Sequence, residues 1–157
     1  MGILTMSVDF SSCHTTSLSD EEPIHSWLNV VTVALIDTDD RILVSRRRAD
    51  QSFAGMWEFP GGKVQENERP EQALIRELSE ELGIQTFSSC LAPLSFSTDV
   101  NREGTHLLLL LYICRQWAGT PCSLEGQELK WVRLSELRTL AMPPADKPFI
   151  AMLNHWL

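Results

Sequence analysis

The sequence has no C-x-x-C pair, no basic leader and no apolar run long enough to cross a bilayer. Its four cysteines, Cys13, Cys90, Cys114 and Cys122, stand singly, so neither a zinc site nor a disulfide framework is expected and the thiols read as reduced. Residues 1–22 are rich in Ser, Thr and acidic side chains and lack both a positive n-region and an apolar h-region, so they do not read as a signal peptide. The longest apolar run, residues 107–114, falls well short of the roughly 20 residues of a membrane helix and suits a buried strand. A soluble, cytoplasmic protein with no membrane partner is expected. Positive charge is scarce too: 13 Lys and Arg against 21 Asp and Glu give a formal net charge of −8. That balance repels the backbone of DNA and RNA, so a nucleic-acid polymer is not the expected partner. A small polyphosphate remains open, because one bound divalent cation inverts the field locally.

What is present suffices for one domain. The chain has 157 residues, 43% of them hydrophobic, enough for a single core without staples. Residues 1–26 are expected to form a poorly ordered extension and residues 27–157 the domain, with a monomer expected. Residues 27–36 and 42–46 are apolar and β-branched runs around the turn residues 37–40, which predicts a hairpin. Phe59-Pro60-Gly61-Gly62 reads as a loop. Pro70 suits a first helical turn and Gly83 the position just past a helix end, predicting a helix over residues 69–82. Strands are predicted at 91–96, 106–115 and 129–134, a short helix at 135–140, and an amphipathic helix carrying Phe149, Ile150, Met152, Leu153 and Trp156. Interleaved strands and helices indicate an α/β fold with a mixed β-sheet.

The predicted central helix carries the chemistry. At about 100° per residue, with Glu77 at zero, Glu81 falls at about +40° and Glu80 at about −60°. Leu74, Ile75, Leu78 and Leu82 fill the neighbouring sector, so three carboxylates line the margin of an apolar stripe. Glu77 and Glu81 repel at i,i+4, and all three acids lie toward the helix end where the macrodipole prefers cations. A divalent cation reverses the sign of both effects. Hard oxygen ligands favour Mg²⁺, with Mn²⁺ as a substitute, and such a site points to phosphoryl transfer. An isolated acidic helix more often presents a solvated face; here the flanking residues decide.

Gly62, Glu68, Arg76, Glu77, Leu78, Glu80, Glu81, Gly83 and Ile84 fill every defined position of the pattern Gly-x5-Glu-x7-Arg-Glu-U-x-Glu-Glu-x-Gly-U, U being a bulky aliphatic residue. The chain therefore resembles the Nudix hydrolases, and those of the bacterial MutT type in particular. The likeness extends over Trp57 to Lys63, Glu125-Gly-Gln127 and Pro143 to Pro148. It implies a Nudix fold, a mixed β-sheet sandwiched between helices. It also implies Mg²⁺-dependent hydrolysis of a nucleoside triphosphate to the monophosphate and pyrophosphate. The substrate implied is an oxidised purine, 8-oxo-dGTP, whose removal sanitises the nucleotide pool before DNA replication.

The resemblance makes Gly61 (through its carbonyl), Glu77, Glu80, Glu81 and Glu125 metal ligands. Glu77, Glu80 and Glu125 all stay open as the general base. Arg76 is a catalytic-site residue that either orients the glutamates, with Glu68 as its mate, or contacts substrate. Arg47 matches a phosphate-side arginine, the alternative being that Arg46, Arg47 and Arg48 form a charged edge protecting the sheet. Lys63 matches a substrate-side lysine, or is simply solvated. Phe59 offers an aromatic face near the base, or belongs to the core. Asp146 stands where the bacterial pattern has a base-reading Asn; it accepts hydrogen bonds only unless protonated, and it also suits a helix N-cap. Two alternatives stand beside this reading: a Nudix hydrolase of another nucleotide (a pyrimidine triphosphate, a dinucleoside polyphosphate or ADP-ribose), and a non-catalytic base-recognition module.

Overall fold

The computed structural model describes residues 27–101 and 104–157; the expected N-terminal extension lies outside them. In chain order the elements are β1 (Trp27–Leu35), β2 (Ile42–Arg46), β3 (Trp57–Glu58), β4 (Gly61–Lys63), α1 (Pro70–Leu82), β5 (Ala92–Val100), β6 (His106–Cys114), β7 (Glu128–Val132), α2 (Leu134–Leu137) and α3 (Lys147–Trp156). The strands divide over two sheets, ordered β4-β1-β6-β5 and β3-β2-β7. β1 runs parallel to β6 and every other pairing is antiparallel.

The predicted hairpin is corrected by this topology. Its turn forms: the Asp37 carboxylate accepts the backbone N–H of Asp39 at 3.0 Å and of Arg41 at 2.8 Å, an Asx arrangement. Beyond a single bridge between Ile36 and Ile42, however, the strands part. Both edges of β1 are already taken, by β4 and β6, so β2 pairs with β3 and β7 instead. Along β1 the side chains alternate as a strand dictates. Val31, Val33 and Leu35 face one core with Ala73, Leu74, Leu78 and Leu82 of α1. Ala34 and Ile36 face a second core with Leu137 of α2 and Phe149 and Leu153 of α3. The sheets are thus held between α1 on one side and the C-terminal helices on the other.

Helix α1 forms where expected. Pro70 opens it, the Gln72 side chain accepts the Arg69 backbone N–H at 3.1 Å, and Gly83 closes it at φ 67°. The Gly83 and Ile84 N–H groups return to the carbonyls of Ser79 and Leu78, a Schellman-type end that requires a residue content with positive φ. The Gly61-Gly62 segment, read from sequence as loop, is instead an edge strand. A Cβ on Gly61 would lie 2.0 Å from the Val31 carbonyl oxygen, so only bare backbone can pair there with β1. Leu78 is fully buried between α1 and β1. Leu78→Ala is expected to cost about 2–5 kcal/mol of unfolding free energy, read as a lower urea midpoint at unchanged slope.

Candidate active site

The C-terminal half of α1 and the loop before β7 carry the expected acids, and strand β4 lies against them. Arg76 organises the first of them. Its Nε and Nη2 donate to the two Glu68 carboxylate oxygens at 2.9 and 3.0 Å. Its Nη1 donates to Glu77 at 2.6 Å and to Glu80 at 3.3 Å, and Nη2 also reaches the Lys63 carbonyl at 3.1 Å. Every guanidinium nitrogen is engaged within the protein, so the geometry is that of an orienting residue. Glu77 packs directly on β4: a Cβ on Gly62 would fall 2.3–2.5 Å from its carboxyl atoms. The second glycine of the pair therefore leaves room for a carboxylate, as the first leaves room for a strand.

Glu81 is half-buried. Burial pushes its carboxyl up to about 8, and the nearby charges of Glu77, Glu125 and Glu58 push the same way, against one hydrogen bond from the Gly61 N–H. Glu125 lies on an exposed loop, where Arg48 Nη1 donates to its carbonyl at 3.0 Å and stands 3.7 Å from its carboxylate. Between these groups runs a cleft lined by Arg46, Arg48, Glu58, Glu81, Glu125 and Gln127. Among the described residues no three carboxylate, imidazole or thiol groups converge into a closed metal cage; Glu77 and Glu80 are drawn to Arg76 and Glu125 to Arg48. The donor set nonetheless suits a hard divalent cation. It is all oxygen, it opens on a cleft, and it holds a local excess of negative charge around Glu81 that a cation relieves.

The remaining candidates scatter to either side. Strand β2, which ends at Arg46, is the middle strand of its sheet, so the charged-edge reading is corrected: Arg46 pairs on both sides, and Arg47 and Arg48 lie past the strand. Arg46 bonds Glu128 and the Gly55 carbonyl. Arg47 pairs with Glu58 and donates to Ser52. Lys63 is exposed on β4. Phe59 is 1% exposed and meets Phe149 edge-on in the core, which corrects the stacking role, since no ring face is open to a base. Asp146 does occupy the N-cap position of α3, yet its side chain caps nothing there. It is 4% exposed and accepts the Phe59 backbone N–H at 3.3 Å.

A family model described as the NUDIX domain matches residues 27–153. The chain belongs to the Nudix family. It is 37% identical over 129 residues to an 8-oxo-dGTP diphosphatase of Escherichia coli (strain K12), covering 81% of this chain and 96% of that protein. It is 38% identical over 121 residues to a CTP pyrophosphohydrolase of the same strain, covering 76% and 87%. A MutT structure from work on Aliivibrio salmonicida and Vibrio cholerae superposes with a TM-score of 0.72 at 28% identity, covering 84% of this chain and 100% of that one. The α/β architecture described above is accordingly the Nudix fold of a MutT-type hydrolase.

One acid in this Nudix cleft received no role from sequence. Glu58 lies inside the Trp57-Glu-Phe-Pro-Gly-Gly-Lys63 segment, on a strand of two residues too short to show alternation. The available signal was an acid flanked by Trp57 and Phe59, where a buried partner has to be sought. Burial raises its pKa, against the pull of Arg47. Asp146 is raised to about 7, first by burial and then by Glu58, against the Phe59 N–H and Arg47.

Glu81 and Asp146, and in the same direction Glu58, thus bind protons more tightly in the folded protein than in the unfolded chain, where carboxyls ionise above about pH 4.5. The folded state binds more protons between there and about pH 8, so stability falls as pH rises. In chelator, the melting temperature is expected to drop from pH 5 to pH 8, and Glu81→Gln to flatten that slope. A metal-free protein equally stable at both pH values would contradict the electrostatics described.

Proposed function

We propose that this Nudix protein is a Mg²⁺-dependent nucleoside triphosphate pyrophosphohydrolase that converts oxidised purine deoxynucleoside triphosphates, 8-oxo-dGTP foremost, to monophosphate and pyrophosphate. The observation that carries the reading is Glu81, crowded by Glu77, Glu125 and Glu58 at the mouth of a cleft. The relatives named above supply the activity class. In this reading Glu77, Glu80, Glu81, Glu125 and the Gly61 carbonyl hold the cation. When bound, Mg²⁺ neutralises phosphate oxygens and acidifies water, with Mn²⁺ able to replace it.

The chain's own residues do the rest. One of Glu77, Glu80 and Glu125 takes the proton of the water that attacks phosphorus as pyrophosphate leaves. Arg76 keeps Glu77 and Glu80 in register through its fan of hydrogen bonds. Arg47 and Lys63 serve the phosphate side, Arg47 by exchanging Glu58 for the substrate anion. Asp146 reads the base. Burial raises its pKa to about 7, and its protonated form carries a donor beside an acceptor, as an amide does. A monomer working in the cytosol, where the free nucleotide pool lies, completes the reading.

Glu77→Gln and Glu81→Gln are expected to lose Mg²⁺-dependent turnover by about 10²–10⁴-fold while keeping the wild-type circular dichroism spectrum. Full activity in either would remove that residue from the machinery. The CTP pyrophosphohydrolase relative, as similar as the 8-oxo-dGTP diphosphatase, favours a second reading in which the base is a pyrimidine. A panel of 8-oxo-dGTP, dGTP, CTP, ADP-ribose and a dinucleoside polyphosphate, scored by pyrophosphate release, separates them. Preference for 8-oxo-dGTP over dGTP is expected, retained in Asp146→Asn and lost in Asp146→Leu. Equal rates on the two purines would sink the sanitising role.

A further inference from the structure

The last carbonyls of an α-helix have no partner within the helix and must find one outside it. At the end of α1 they are met by the loop that carries Glu125. The Glu81 carbonyl accepts the Leu124 N–H at 3.0 Å and the Gln127 Nε2 at 3.2 Å, and the Leu82 carbonyl accepts the Cys122 N–H at 3.0 Å. The other end of the Gln127 amide turns back on its own loop: Oε1 accepts the Glu125 backbone N–H at 3.2 Å and the Ser123 hydroxyl at 3.0 Å. One side chain thus ties the backbone of Glu125 to the backbone of Glu81, two of the acids that line the cleft.

We propose that Gln127 is a positioning residue that fixes the Glu125 carboxylate opposite Glu81, and so sets the protein's affinity for the divalent cation. This rests on the reading of Glu125 as a metal ligand. The chemistry of the clamp is specific to glutamine. The backbone N–H of Glu125 requires an acceptor and the Glu81 carbonyl a donor, so a carboxylate loses one link and a thioether both. Asparagine is one methylene short. Glu125 itself is exposed on a loop that turns through Gly126 at φ 81°. Without the clamp the Glu125 backbone N–H loses its acceptor and the loop meets the end of α1 only through the Leu124 and Cys122 N–H groups, and a ligand left loose binds metal more weakly.

The test measures Mn²⁺ binding to the full chain without nucleotide, from the electron paramagnetic resonance signal of free Mn²⁺, for wild type, Gln127→Met, Glu125→Gln and the double variant. Gln127→Met is expected to weaken binding about 10-fold, with its melting temperature confirming a folded protein. Because Gln127 acts through Glu125, the double variant is expected to bind no more weakly than Glu125→Gln alone. If Gln127→Met binds as wild type while Glu125→Gln is weakened, the clamp is refuted and the ligand reading stands. A double variant weakened by the product of both factors refutes it as well, since Gln127 then acts elsewhere. If Glu125→Gln binds as wild type, the ligand reading of Glu125 falls and takes the clamp with it. Should Gln127→Met unfold, Gln127→Glu, which keeps the acceptor to Glu125 and loses the donor to Glu81, is expected to weaken Mn²⁺ binding despite its added charge; tighter binding would overturn the proposal.

Discussion

Like charges forced together at the edge of a core govern this molecule. Leu74, Leu78 and Leu82 bury one face of α1 against β1, and that packing fixes the rotation of the helix. Glu77 and Glu81 then have no choice of direction: they point toward Gly61 and Gly62 of β4. Neighbouring acids are parcelled out to arginines, Glu68, Glu77 and Glu80 to Arg76, Glu58 to Arg47 and Glu125 to Arg48. Among the described residues no salt bridge reaches Glu81, whose carboxyl is pushed up to about 8 first by burial and then by the neighbouring acids. A cluster so arranged is costly to the apo fold and receptive to a cation, and the two properties have one cause.

The glycines of β4 show how far backbone geometry serves that cluster. Gly61 brings the strand into pairing distance of Val31, and Gly62 yields the space that the Glu77 carboxyl fills. Any side chain at either place would push β4 off the sheet or Glu77 away from its neighbours. The segment is therefore strand by its hydrogen bonds and binding loop by its openness, and these descriptions do not conflict.

Local signals carried most of what could be read from sequence. The limits of α1 followed from Pro70, Gly83 and a 3.6-residue apolar period, and the crowding of Glu77 with Glu81 followed from the same period. The parting of β1 and β2 did not, because it depends on which strands occupy the edges of β1, and those partners are β4 and the far more distant β6. Phe59 and Asp146 were ambiguous for a related reason. An aromatic ring reads alike in core and pocket until Phe149 is seen beside it. An Asp before a helix reads as a cap until its carboxylate is found bonded to Phe59, across the domain. Glu58 and Gln127 received no role from sequence because their meaning lies in partners, Arg47 in one case and the backbones of Glu81 and Glu125 in the other.

The box of glutamates cannot choose between the two relatives of nearly equal identity, since both are Nudix proteins; discrimination has to come from the base side. There the structure joins what sequence kept separate. Glu58 raises the proton affinity of Glu81 in the cleft and of Asp146 beneath α3, while Arg47, its partner, lowers that of Asp146. One ion pair, between Arg47 just past β2 and Glu58 of β3, thus lies within electrostatic reach of both ends of the proposed substrate site. Whatever draws Arg47 toward a phosphate leaves Glu58 less compensated, and an uncompensated anion beside a buried carboxyl favours its protonated form. Under the proposed reading, in which Arg47 serves the phosphates and Asp146 the base, the protonation of Asp146 is coupled through Glu58 to the position of Arg47.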